Sequence, residues 1–521
     1  MKRRDFLKSV PATVLPFVVG GFSVKAFANN PFLNAMLPQG GASDKVLVLI
    51  QLIGGNDGLS TLIPLDQTSQ IMAARSNIAI DETTTLKISD KNGLHPNMTG
   101  MKNLFTDGKL AIVQNVGYAQ PNFSHFRSID IWLTGANYDE VLTTGWVGRY
   151  LDQEFPGFPN GYPNASMPDP IAVQIGAAVS LGLEGAKTNM GMVITDPTAF
   201  NNIINDTVTP TPDTRAGHEL AYIRSIGQQL QSFAGPVKNA AGKGKTLSST
   251  WPTAGANPLA DQLRIVAQLI SGGLRTKIYV VNLGGFDTHG DQLAIQNPLL
   301  DQLSVSISAF QDELKLNALE DRVIGMTFSE FGRRVVSNSS GGTDHGAAAP
   351  LFVFGSQVIP GILGDNPKLP DAGKATPDDN LAMQFDFRQI YASVLKEWFN
   401  ASDSEIATTL LNPIYQTQTL PIIKQQSGVA AAPTFPAIEL QQNYPNPCNG
   451  STSITIRTLG GNATLRAFDT KGNLVRTFLN QPVTAGEKII ACNINGLPNG
   501  TYFYRLETGG ISLAKEMVVL K

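Results

Sequence analysis

Apolar residues run almost unbroken through KVLVLIQLI (45–53), and six later stretches share the habit. They are KLAIVQNVGY (109–118), PIAVQIG (170–176), MGMVITD (190–196), KIYVVNLGGFD (277–287), RVIGMTFSEFG (322–332) and PLFVFG (350–355). Such runs fit strands buried on both faces, as in parallel α/β sheets. Between them, Leu303, Ile307, Phe310 and Leu314 recur at steps of four, three and four, which is one apolar helix stripe. DFRQIYASVLKEWF (386–399) has the same periodicity. The alternation predicts an α/β fold with a doubly wound, mostly parallel sheet, whose site lies in loops at the carboxyl ends of the strands. Residues 136–260, rich in Pro, Asn and Gly, read as a cap or long insertion in a domain spanning 45–420.

The pattern changes after Leu420. Small residues and prolines at 421–438 read as a linker, and 439–521 hold short runs at hairpin spacing. STSITIRT, ATLRAFDTKGNLVRTF, EKIIACNI and TYFYRLETGGISLAKEMVVL, with Gly- and Asp-bearing turns, predict a small antiparallel β-sandwich. Length agrees, since 521 residues call for two or three folded units. A net charge of −3 gives no reason to expect nucleic acid as a partner. Cys448 and Cys492 are the only cysteines, so thiol chemistry is not expected in the main body. The two could form a disulfide in an exported protein.

The first residues read MKRRDFLK, followed by a modest apolar run from Val10 to Phe22 and then Ala26-Phe27-Ala28. That run is shorter than the roughly 20 apolar residues a membrane-spanning helix needs. Arg3-Arg4 with Phe6-Leu7 resembles a twin-arginine export signal, removed near residue 28. Its loss takes five basic residues and one acidic one, moving the chain from −3 to −7. Residues 29–44 are a soft, polar segment. The mature chain is then expected to have no transmembrane segment.

Candidate chemistry gathers where strands end. LIGGNDGLS (52–60) offers Asn56 and Asp57, though an Asn-Asp turn would equally close a strand. PNFSHFRSIDIWLTG (121–135) places Ser124 at a helix start, where free N–H groups favour an anion, or where it simply caps the helix. Arg127, one turn on, could clamp a phosphate or sulfate or serve as a surface ion-pair residue; His125 is a weaker candidate. GGFDTHGDQ (284–292) brings Asp287 and His289, and FSEFGRRVVSNSSGGTDHG (328–346) brings Glu330, Asp344 and His345. Gathered carboxylates repel, and a divalent cation relieves that repulsion. Mixed His and carboxylate donors favour Zn or Mn, with Ca or Mg possible for oxygen alone.

GGNDGL, SHFRSIDIWLTG, GFDTH, SEFGRR, GTDHG and DFRQIYASVLKEW together resemble a twin-arginine-exported bacterial family, domain of unknown function 1501, within the alkaline phosphatase-like superfamily. The resemblance spans roughly 45–415. It implies a metal held by Asp57, Asp344 and His345 beside a nucleophilic Ser124, with Asp287 and His289 contributing to a second ion. No histidine follows His345, so either His95 or His125 replaces it or the second ion is weak or absent; His218 is incidental. Ser124 is followed by His125 and Phe126, which is not the modification motif of sulfatases. LQQNYPNPCNGSTSITI, GLPNGTYFYRLETGG and KEMVVLK resemble the type A C-terminal sorting domain of the type IX secretion system. The expectation is an exported hydrolase of an anionic ester, a phosphate or sulfate, with one or two metal ions. The alternative is a non-catalytic surface protein of the same fold. Either would engage the twin-arginine and type IX machineries.

Overall fold

The computed structural model describes residues 15–19, 22–26, 45–195, 232–424 and 439–520, apart from 165, 177, 459, 471–472, 485 and 509–510. The expected export signal falls outside the described residues except for a short hairpin of Leu15–Val19 with Phe22–Ala26. Segment 29–44 is outside them, as is the linker from residue 425 on. The chain divides after Lys424 into two compact units.

The first unit is mixed α/β, built on a nine-stranded sheet. Its centre is β1 (Val46–Ile53), the apolar run with which the chain's hydrophobic pattern begins. Further strands, in chain order, are β2 (Leu110–Gly117), β3 (Ala172–Ile175), β4 (Gly191–Ile194), β5 (Ile278–Gly284), β6 (Val323–Phe328), β7 (Ala349–Phe354), β8 (Gly361–Leu363) and β9 (Phe385–Asp386). They lie in the order β8-β2-β7-β6-β1-β5-β3-β4, with β9 also pairing β2. Ile50 sits opposite Val281 on one side and Thr327 on the other, both in parallel register. Only β7 runs antiparallel to its neighbours. The carboxyl ends of β1, β2, β5 and β6 therefore open on one edge of the sheet, which is where the candidate residues lie.

Each apolar run became a strand because burial on both faces leaves no polar side to satisfy. Leu47, Val48, Ile50 and Leu52 are all buried. The stripe of Leu303, Ile307, Phe310 and Leu314 lies buried along the long helix Gln292–Leu316. The run 322–332 is two elements, since β6 ends at Phe328 and Gly332 opens a separate hairpin of Gly332–Ser337 with Thr343–Gly346. The expected insertion at 136–260 is not wholly a separate layer, because β3 and β4 extend the central sheet. Its helix Trp146–Glu154 is anchored by Trp146, stacked on Tyr391 at 4.2 Å.

The second unit is all-β: eight strands pair antiparallel except at Cys448 and Val519. Alternating inward residues, among them Ile454, Ile456, Leu465, Tyr504, Leu506 and Met517, make its core. Cys448 and Cys492 lie in that core as free thiols.

Candidate metal centre

The loop after β5 carries Asp287 and His289, and the hairpin strand Thr343–Gly346 carries Asp344 and His345. Two glycines allow these segments to meet. A Cβ on Gly54, whose φ is +124°, would lie 2.2 Å from the Asp287 nitrogen. One on Gly342 would lie 2.3 Å from the His289 carbonyl carbon. Any side chain at either position would push a histidine- or aspartate-bearing loop away.

Three imidazoles are each held at Nδ1 by an oxygen. His345 Nδ1 donates to the Phe123 carbonyl at 2.6 Å, His289 Nδ1 to Asp344 Oδ1 at 3.1 Å, and His125 Nδ1 to Glu330 Oε1 at 2.8 Å. Each ring, held at Nδ1 by an oxygen, turns its Nε2 inward. All three Nε2 atoms converge on one carboxylate. Asp287 Oδ1 is 3.1 Å from His345 Nε2 and 3.3 Å from His289 Nε2, and Oδ2 is 3.4 Å from His125 Nε2. The two imidazoles of His289 and His345 meet at 2.9 Å.

This donor set fits a divalent cation. Donors bound tetrahedrally to zinc at about 2.1 Å stand roughly 3.4 Å apart, close to the separations observed. Donor atoms of His125, Asp287 and His345 all lie within 4.8 Å of one another. An oxygen behind each metal-facing imidazole is the usual device for fixing tautomer and ring orientation.

Electrostatics favour ligand forms. Burial opposes ionisation of Asp287, but hydrogen bonds from Arg333 and His345 outweigh it and pull the carboxyl down to about 2. Burial likewise opposes ionisation of Asp344, yet His289 and Asn338 hold its carboxyl below the usual range. Burial pushes His345 down, favouring neutral imidazole, against the opposing pull of the Phe123 carbonyl and Asp287.

The remaining candidates separate. Ser124 is exposed and immediately precedes the helix His125–Thr134, with its side chain making no capping bond. The chain itself puts it beside the cluster, since Phe123 holds His345 and His125 is a member. Arg127 turns away: its Nη2 donates to the carbonyls of Asn137 at 3.2 Å, Tyr138 at 3.0 Å and Glu140. Glu330 stands behind His125, with Oε1 also accepting from the Gly54 N–H at 2.8 Å. Asp344 meets the far nitrogen of His289 and is not among the grouped donors.

Asp57, expected in the metal set, is not among these grouped donors. Its Oδ2 accepts from Arg75 at 2.6 Å, Ser60 at 2.7 Å and Gln292 at 2.5 Å, all in a fully buried setting. Its other oxygen, Oδ1, is buried with no hydrogen-bond partner among the described residues. Asn56 is buried beside it, accepting from Thr61 at 2.8 Å. His95 is a buried structural histidine, bonded to Asn297 at 3.0 Å and to the Asn97 N–H at 3.1 Å. His218 lies outside the described residues.

Two buried arginines were not singled out by the motif reading. Arg333 donates to the carbonyls of Gly54, Gly55, Phe286 and Thr343 and to Asp287 Oδ1 at 2.8 Å. Arg75 binds Asp57 and the carbonyls of Arg334 and Val335. For Arg333, the available signal was an arginine inside the apolar stretch FGRRVV. Arg75 has no such local signal.

Residues 238–409 match the family model described as protein of unknown function DUF1501, and residues 442–520 match that of the secretion system C-terminal sorting domain. No curated protein matches the chain. Among solved structures it is similar to an alkaline phosphatase superfamily protein from Vibrio parahaemolyticus, at 9% identity and TM-score 0.31, covering 86% of this chain and 78% of that one. It is similar to the alkaline phosphatase of the Antarctic bacterium TAB5, at 11% and 0.28, covering 60% and 92%. A Bacteroides thetaiotaomicron structure concerned with glycosaminoglycan metabolism aligns at 14% and 0.31, covering 84% and 89%. No helix among the described residues is long and apolar enough to cross a membrane. The chain thus carries a DUF1501 region at 238–409, within its α/β unit, and a secretion-system C-terminal sorting domain at 442–520.

Proposed function

We propose that this chain is an exported, metal-dependent hydrolase of an anionic ester, a phosphate or a sulfate, with Ser124 as nucleophile. The observation that carries the reading is the convergence of three Nε2 atoms on Asp287, each imidazole fixed from behind. His125, Asp287, His289 and His345 would hold the ion, with zinc favoured by the imidazole-rich set and manganese next. A single ion is the reading taken from the one donor group found among the described residues. When bound, the cation supplies positive charge that polarises the ester and eases deprotonation of a nearby hydroxyl.

The chain's own groups do the rest. Ser124 Oγ attacks phosphorus or sulfur, the alcohol leaves, and water then releases the inorganic anion and regenerates the serine. The N-terminus of the helix His125–Thr134, which Ser124 directly precedes, would offer its positive end to an anion bound at Ser124. Surface delivery through type IX secretion accords with the C-terminal sorting domain, and the twin-arginine route is read from Arg3-Arg4 with Phe6-Leu7 alone.

The commitment of Arg127 to carbonyls favours a second reading, a non-catalytic surface protein that retains the ion. Metal analysis of the mature chain, with turnover of aryl phosphate and aryl sulfate esters by wild type and Ser124→Ala, separates the two. Ser124-dependent turnover supports the hydrolase; stoichiometric metal without turnover supports the second; absence of metal defeats both.

A further inference from the structure

Behind the two ligand-bearing segments lies Gln292, the first residue of the helix Gln292–Leu316 and fully buried. Its Oε1 accepts from Thr343 Oγ1 at 2.6 Å and from Thr288 Oγ1 at 3.2 Å. Thr288 stands between Asp287 and His289, and Thr343 directly precedes Asp344 and His345. The same segments are joined by a backbone bond, Thr343 N–H to the Thr288 carbonyl at 3.1 Å. Both threonines are completely buried, so each hydroxyl needs a partner inside the protein.

The amide could face either way but for Asp57. Its Oδ2 can only accept, and it takes Gln292 Nε2 at 2.5 Å, leaving Oε1 to face the threonines. Arg75 and Ser60 hold that carboxylate in place.

We propose that Gln292 is a positioning residue for the metal centre, holding the Asp287–His289 loop and the Asp344–His345 strand at ligand spacing, with its polarity set by the Asp57–Arg75 pair. This rests on the metal reading above. Asp57 then serves the centre from a distance, as an anchor and not a ligand.

The test uses the full mature chain and zinc affinity measured by competition with a chromogenic chelator. Gln292→Met keeps the volume and removes both polar ends. It is expected to weaken affinity about 10- to 100-fold, the usual cost of losing a residue behind a ligand. Should Gln292→Met fail to fold, Thr343→Val removes a single hydroxyl and is expected to weaken binding in the same sense. Gln292→Glu opposes two carboxylates and is expected to weaken binding, whereas Thr343→Ser keeps the hydroxyl that Gln292 accepts and is expected to retain wild-type affinity. Retention by the serine variant beside loss in the isosteric Thr343→Val is a result that a merely structural role would not produce. Folded Gln292→Met or Thr343→Val with wild-type affinity overturns the proposal.

If wild type binds no zinc, the metal reading fails and the positioning is read from His289 directly. Acylation of His289 by diethyl pyrocarbonate, followed by peptide mass, is then expected to quicken in the variants. An unchanged rate overturns the proposal.

Discussion

His289 and His345 face each other through Nε2 atoms 2.9 Å apart, while an oxygen holds the Nδ1 hydrogen of each ring. Two lone pairs would repel at that distance. A proton or a cation between them would relieve the repulsion, the Asp287 carboxylate balancing either charge, and the metal reading proposed above takes the cation. Mature protein is therefore expected to carry about one divalent ion per chain by elemental mass spectrometry. His289→Ala and His345→Ala should each abolish it, and chelation should lower the thermal midpoint of wild type but of neither variant.

Ser124→Ala removes a hydroxyl that makes no capping bond, so folding and metal content should not change. Ester turnover should fall by roughly 10³-fold or more, as expected for loss of a nucleophile. Initial rates on aryl phosphate and aryl sulfate, set beside metal content, provide the check.

Arg127→Gln addresses a different question. Because its guanidinium holds the carbonyls of residues 137, 138 and 140, the substitution should cost about 1–2 kcal/mol and leave KM for an anionic ester unchanged. Limited proteolysis should show earlier cleavage near 137–141. A raised KM with stability intact would place Arg127 on the substrate instead.

The Asp57–Arg75 pair is buried at both ends. Arg75→Met strands a carboxylate and should cost about 3–5 kcal/mol in urea unfolding. Adding Asp57→Asn should recover much of that, and either Asp57 variant should still bind one ion at saturating metal. Loss of the ion in Asp57→Asn would return Asp57 to the ligand set.

Burial, with Cys448 nearby, pushes the Cys492 thiol from 9.0 up to about 12. The thiol is thus protonated across neutral pH, and iodoacetamide should label neither cysteine appreciably until the chain is unfolded in reductant. The sign for stability follows. A thiol whose folded value exceeds its unfolded one has its full contribution below about pH 9 and loses it as pH climbs toward 12. Comparing unfolding midpoints of wild type and Cys492→Ala from pH 8 to 10.5 should show the steeper decline in wild type.

Strands were legible because burial on both faces writes a continuous apolar run, and Val46–Ile53 could be little else. The helix Gln292–Leu316 was legible through one stripe. Site residues were legible as types at strand ends, and Asp287, His289 and His345 do meet. Their division of labour was not legible. Asp344 and His345 are adjacent in the chain yet take opposite nitrogens of His289, which only the hairpin geometry decides. The ion pair of Asp57 was not legible because its partner, Arg75, is 18 residues away and carries no local mark. His125 was ambiguous because its role depends on Glu330, 205 residues further on.

Glu330 Oε1 takes hydrogen bonds from the Gly54 N–H and from His125 at once, joining segments 276 and 205 residues distant. His125, the Asp287–His289 loop and the Asp344–His345 strand come from three separate segments. On the proposed metal reading the full donor set would exist only once the sheet has closed, and the metal supply of whichever compartment hosts that closure would select the ion. A chain carried out already folded would take its ion from the cytoplasm; one threaded out unfolded would take whatever the outside offers.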